Sequence, residues 1–155
     1  MMNIVLAADP FAYDMKNALA KHLTEKGYKV VDADNNTNIT YYEAAEKGVS
    51  IIQNGEADCG IFLCGTGAGM CVAANKFSGI YAVSVESVFS AARAKAINNA
   101  NVITMGAMIV GKEMACEMAD AWLNTKFTQG LEGLADFLHQ AEQAVMAIDF
   151  DNRKK

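Results

Sequence analysis

Short, continuously apolar runs alternate along the chain with longer stretches whose apolar positions recur every three or four residues, the pattern of a parallel sheet linked by crossover helices. The runs at 3–8, 28–32, 59–63, 80–85 and 102–105 predict five strands. Helices are predicted over 13–26, 41–54, 68–76, 87–97, 112–124 and 130–148. In the first helix Met15, Leu19 and Leu23 lie one turn apart and Gly27 supplies the stop; Gly55 ends the second. Strands buried on both faces account for the unbroken apolar runs, and right-handed crossovers place every strand's carboxyl end on one edge of the sheet. The expected fold is therefore α/β, a three-layer α/β/α sandwich with a five-stranded parallel, Rossmann-like sheet.

Ligands of such folds bind where the strands end. That directs attention to Asp9-Pro10, the loop before Tyr41, residues 64–69, Glu86-Ser87 and Gly106. Glu86 fits either a helix-initiating carboxylate or an acid/base group. The last helix has Leu131, Leu134, Phe137, Leu138, Ala141 and Val145 on one side. This suits packing on its own sheet and packing on a partner subunit equally well.

A length of 155 residues fits one domain, expected over 1–150 with a charged tail at 151–155. Thirteen Lys and Arg against eighteen Asp and Glu leave a formal charge of −5, which disfavours nucleic acid and anionic membrane surfaces as partners. No stretch approaches the roughly 18 apolar residues of a membrane helix, and no signal-peptide pattern opens the sequence, so a cytoplasmic location is expected. Cys59, Cys64, Cys71 and Cys116 have no CxxC or Cys/His spacing; free thiols, no metal and no cofactor are expected.

The segment Cys64-Gly65-Thr66-Gly67-Ala68-Gly69-Met70 follows a strand and opens a helix, so its glycines can turn tightly and aim several backbone N–H groups at one point. It lacks the Lys-Ser/Thr of a P-loop and the dinucleotide fingerprint of a first βα unit, which argues against ATP and NAD. A thiol at the strand's end, beside a helix start that favours thiolate, can abstract a carbon-bound proton. Thr66 can then pass a proton between neighbouring oxygens while loop amides hold the enediolate. Both residues also have plain structural explanations, as a buried hydrophobe and a turn hydroxyl. Cys59, Cys71 and Cys116 are assigned to packing, and Trp122, Met105, Met108, Met114 and Met118 to core and interface filling.

The loop CGTGAGMCVAANK, with NIVLAADPFAYDMKNAL, GEADCGIFLCGTG, NNANVITMGAMIVG and DAWLNTKF in the same order, resembles the ribose-5-phosphate isomerase B and galactose-6-phosphate isomerase family of sugar-phosphate isomerases. The resemblance implies a dimer, or a tetramer made of two dimers, with each active site built from two subunits. It also implies aldose–ketose isomerisation through a cis-enediolate without a metal. By the same likeness, Asp9 serves ring opening or substrate hydroxyls, Cys64 is the base and Thr66 its proton partner. Gly65, Gly67, Ala68 and Gly69 cradle the enediolate, Tyr41 lies near substrate, and Asn98 arrives from the neighbouring subunit.

Departures from the family pattern accompany the likeness. Pro10 and Ile97 stand where the family has histidines, and Leu131, Glu132 and Ala135 stand where it has an arginine-histidine pair and a further arginine that hold phosphate. Arginine gives bidentate, charge-assisted bonds to phosphate, so their absence argues against a standard pentose 5-phosphate. Arg93 and Arg153 read as surface charges, and His22 and His139 sit mid-helix. Two functions follow: an isomerase of a sugar or sugar phosphate other than ribose 5-phosphate, or a non-catalytic, sugar-binding subunit that needs a paralogous partner.

Overall fold

The computed structural model describes residues 1–153. Five strands, β1 (Asn3–Ala8), β2 (Lys29–Asp32), β3 (Cys59–Cys64), β4 (Ala82–Ser84) and β5 (Val102–Gly106), form one sheet in the order β2-β1-β3-β5-β4. Every neighbouring pair is parallel. Six α-helices connect or flank them: α1 (Tyr13–Glu25), α2 (Tyr41–Gln53), α3 (Ala68–Ala74), α4 (Val88–Asn98), α5 (Lys112–Asn124) and α6 (Ala135–Asn152).

The three layers follow from which residues each strand turns to either side. Ile4, Leu6, Ile61, Leu63, Ile103 and Met105 meet Met15, Leu19 and Leu23 of α1, Ala91 and Ala94 of α4, and Met118 and Trp122 of α5. On the opposite face Val5, Ala7, Phe62, Cys64 and Val102 meet Ala44, Ala45 and Val49 of α2 and Met70 and Ala74 of α3. Alternate residues of one strand thus serve two cores, the reason for the continuous apolar runs. Gly48 of α2 is packed so closely that an added Cβ would lie 2.7 Å from the Phe62 ring.

Local chemistry sets the element ends. Thr40 and Glu43 form a reciprocal capping box at the start of α2, and Ser87 with Ser90 does the same for α4. The last helix begins at Ala135 instead of 130, because a 3₁₀ turn, Glu132–Leu134, precedes it and Gly130 is left-handed at φ 70°. At its other end α6 runs through Asn152, beyond the position where a charged tail was expected. Arg153 is also held, pairing with Asp149 at 2.9 Å and donating to the carbonyl of Lys76. The remaining tail positions, 154 and 155, lie outside the described residues.

Of α6 only Leu138 is buried, while Phe137, Val145, Met146 and Ile148 are exposed. Packing on its own sheet therefore does not consume its apolar side. No helix among the described residues is long and apolar enough to cross a membrane.

Candidate active site

The strand order reverses between β1 and β3: the chain moves outward from β1 to β2 on one side and then places β3, β4 and β5 on the other, with β5 between β3 and β4. A crevice opens at the carboxyl ends where crossovers diverge. Asp9 directly follows β1, and Cys64 is the final residue of β3. They are neighbours across the sheet, since Ala8 is in register with Leu63 and the Asp9 N–H donates to the Leu63 carbonyl at 3.3 Å.

Cys64 is 5% exposed, and its Sγ accepts a hydrogen bond from the Gly67 N–H at 3.1 Å. An N–H aimed at sulfur bonds more strongly to a thiolate than to a thiol. The thiol shares the α2/α3-side core with Phe62 and Met70, yet its sulfur meets a polar donor at the head of the glycine loop. The backbone N–H groups of Thr66, Ala68 and Gly69 have no partner among the described residues, and Thr66 and Ala68 are exposed at this edge.

The loop's shape is enforced by close packing on β5. Gly67 is left-handed at φ 80°, and a Cβ there would stand 2.8 Å from the Met105 carbonyl carbon. A Cβ on Gly106 would meet the Thr66 carbonyl carbon at 2.5 Å, so both chains must be bare where they cross. The carbonyls of Cys64 and Gly65 accept from the N–H groups of Ala107 and Met108, each at 2.9 Å. Tyr41, at the start of α2, lays its ring against Gly69, where a Cβ would come within 2.9 Å of it.

Asp9 is 8% exposed, and its Oδ1 accepts from the Phe11 N–H at 3.1 Å. Burial pushes its carboxyl above the usual range, against the lowering effect of that backbone bond. A carboxyl so displaced retains its proton to a higher pH than a solvated one.

A buried ion network was not anticipated from the sequence. Lys16, 1% exposed, places its ammonium 2.6 Å from Asp32 and 2.5 Å from Asp34. Asp34 in turn accepts from the Ala8 N–H at 2.8 Å and from the Asn36 N–H at 2.9 Å. Burial alone would raise Asp32, but hydrogen bonds from Lys16 and from the Asn35 and Asp34 amides hold it below its ordinary value. This network fastens the segment between β2 and α2 to the end of β1, and so fixes where Tyr41 emerges. The signals were a lysine adjoining the apolar stripe of Met15 and Leu19, and two aspartates spaced i, i+2 after an apolar run.

The structure thus brings Asp9, Cys64, Gly65, Thr66, Gly67, Ala68, Gly69 and Tyr41 to one edge. Asn98 is not with them. It ends α4, which runs back toward the amino edge, and with Ile97 it lines a cavity of about 250 Å³ against Glu142, Val145 and Met146 of α6. Glu86 follows β4 at the sheet's rim and is exposed. His22 pairs with Asp120 at 3.0 Å, and His139 stacks edge-on to Phe127; neither reaches the loop. Met105 and Met118 are buried, whereas Met108 and Met114 are exposed, at 72% and 42%.

Comparison with known proteins adds to this geometry. Residues 4–134 match the model of the family described as Ribose/Galactose Isomerase. The chain is 39% identical over 152 residues to 4-deoxy-4-sulfo-D-erythrose isomerase of Clostridium sp. (strain MSTE9), covering 96% of each chain. It is 41% identical over 133 residues to D-erythrulose-4-phosphate isomerase of Pectobacterium atrosepticum, covering 84% of this chain and 88% of that one. Among solved structures, ribose-5-phosphate isomerase B of Clostridium thermocellum superposes with a TM-score of 0.87 at 29% identity, over 97% of this chain and 99% of that one.

Proposed function

The chain belongs to the ribose/galactose isomerase family and is an aldose–ketose isomerase, and from that premise we propose that its substrate is a four-carbon sugar with a terminal acidic group, a sulfonate in preference to a phosphate. Two relatives named for four-carbon sugars, one sulfonated and one phosphorylated, support the chain length. Leu131, Glu132 and Ala135 support the lower charge: without arginines there, a singly charged sulfonate is easier to accommodate than a phosphate dianion.

The observation that carries the mechanism is the sulfur of Cys64 held at the end of β3 by the Gly67 N–H. Cys64, as thiolate, takes the proton from C2 of the aldose and returns it to C1 of the enediolate, giving the ketose. Thr66 moves the hydroxyl proton from O2 to O1, so atoms and charge balance over the cycle. The free amides of Thr66, Ala68 and Gly69 stabilise the negative oxygen that forms between these steps. Asp9 hydrogen-bonds a substrate hydroxyl, and Tyr41 closes the side of the crevice.

A second copy of the chain completes the site. Asn98 lies away from its own Cys64, beside the exposed residues Val145 and Met146 of α6, and that face supplies Asn98 to the neighbouring crevice. The test is a panel of 4-deoxy-4-sulfoerythrose, erythrulose 4-phosphate and ribose 5-phosphate in D2O, followed for deuterium entry beside the carbonyl. Turnover of the four-carbon sugars that is lost in Cys64→Ala is expected. Full exchange by that variant would remove Cys64 from the role of base.

A further inference from the structure

Gly65 has an ordinary backbone conformation, so its lack of a side chain is not explained by φ. What explains it is occupancy. A Cβ at this position would lie 3.0 Å from the Met108 Sδ, 3.8 Å from its Cγ and 4.0 Å from the Phe11 Cγ. Two large apolar side chains from different loops thus converge over the residue that follows Cys64. Each is tied by its backbone to the site: the Phe11 N–H holds the Asp9 carboxylate at 3.1 Å, and the Met108 N–H holds the Gly65 carbonyl at 2.9 Å. Yet neither is buried, with Phe11 74% and Met108 72% exposed. Packing alone does not account for an aromatic ring and a thioether left in water beside a polar crevice.

The geometry points to Phe11 and Met108 as the specificity-determining wall of the active site, an apolar stop that admits a four-carbon sugar and rejects the additional hydroxymethylene of a pentose. The inference rests on the isomerase reading above and deepens it. A thioether and a phenyl ring offer no donor or acceptor to a hydroxyl. A longer sugar whose chain crosses Gly65 must strip water from a hydroxyl and receive no hydrogen bond in return. A four-carbon sugar has one hydroxyl-bearing carbon fewer between its carbonyl and its acidic terminus, so no hydroxyl of its chain crosses that point. Phe11 and Met108 act by desolvation and shape, so the discrimination they give has the size expected of an apolar pocket, tens-fold to about a hundredfold.

The experiment compares kcat/KM for ribose 5-phosphate and erythrulose 4-phosphate in wild type, Phe11→Ser, Met108→Gln and the double variant, with Met108→Leu as the apolar conservative change and Phe89→Ala as a control. Phe89 is exposed elsewhere, beneath the Arg93 guanidinium. The expected result is a rise of about tenfold in the pentose-to-tetrose ratio for each polar variant, expressed mainly in KM for the pentose. Met108→Leu and Phe89→Ala should leave the ratio at the wild-type value. Two results overturn the wall while leaving the isomerase intact: a wild type that accepts pentose and tetrose equally, or polar variants with an unchanged ratio. A wild type inert on these two and on 4-deoxy-4-sulfoerythrose overturns the proposed substrate class itself, and the wall with it.

Discussion

At the carboxyl edge of β1 and β3, groups proposed for chemistry are held from behind: the Asp9 carboxylate by the Phe11 amide, the Cys64 sulfur by the Gly67 amide, and the loop carbonyls by Ala107 and Met108. Along α6, Phe137, Val145, Met146 and Ile148 stand exposed beside a cavity that contains Asn98. The first region is preorganised within one chain, since backbone hydrogen bonds there cost nothing further when substrate arrives. The second has apolar surface and a polar side chain with nothing of its own chain to act upon. On the proposed reading, one copy fixes the proton-transfer groups, and Asn98 serves the crevice of a second copy.

The largest effect that separates the regions is expected at Cys64. Cys64→Ala should lower kcat by about 10²–10⁴-fold, with the fold unchanged by circular dichroism, since it removes the proposed proton-transfer group. Next comes the support beneath the site. Lys16→Met leaves Asp34 buried without its cation and should cost about 3–5 kcal/mol in urea unfolding. Retained stability in that variant would mean that the loop before α2 is held by other contacts.

Asn98→Ala should reduce kcat/KM by about tenfold, the worth of a hydrogen bond to substrate. Its sharper use is in mixtures. Cys64→Ala and Asn98→Ala subunits, combined, should regain activity above the sum of the two measured separately, because one site of each mixed pair receives both native residues. An absence of recovery would show that Asn98 serves its own chain or none.

The smallest effect concerns Asp9. Because burial raises its value in the folded state, folding favours its protonated form, and that contribution is present at low pH and lost as pH rises through the folded value. Asp9→Asn should therefore gain stability relative to wild type above that window and lose the advantage below the unfolded value, read from urea midpoints across pH. The same substitution should lower turnover, which distinguishes a strained functional carboxyl from a structural cap.

The apolar runs announced both the strands and their double burial, and the segment 64–69 announced a bare-backbone loop because no other residue type turns so tightly next to a strand end. Asp9, Cys64, Thr66 and Tyr41 were legible as one cluster because each stands at the end of a strand, in the loop that follows it or at a helix start. Lys16 with Asp32 and Asp34 was not, because a charged residue beside an apolar stripe reads as solvated until its partners are known to be folded over it. Met108 was read as filling, since spacing cannot tell a methionine that enters the core from one that leans over a glycine of another loop.

By itself the sequence determined the alternation of strand and helix, the shared edge on which the strands end, and the glycine loop with its cysteine, since each depends on short-range periodicity and backbone sterics. The tertiary structure alone decided that β5 lies between β3 and β4, that the reversal of order falls at Asp9 and Cys64, and that Asn98 stands apart from them. It also decided that Phe11 and Met108 meet over Gly65. These depend on which distant segments pack together, and packing is settled by shape and desolvation across the whole molecule, quantities no local pattern encodes.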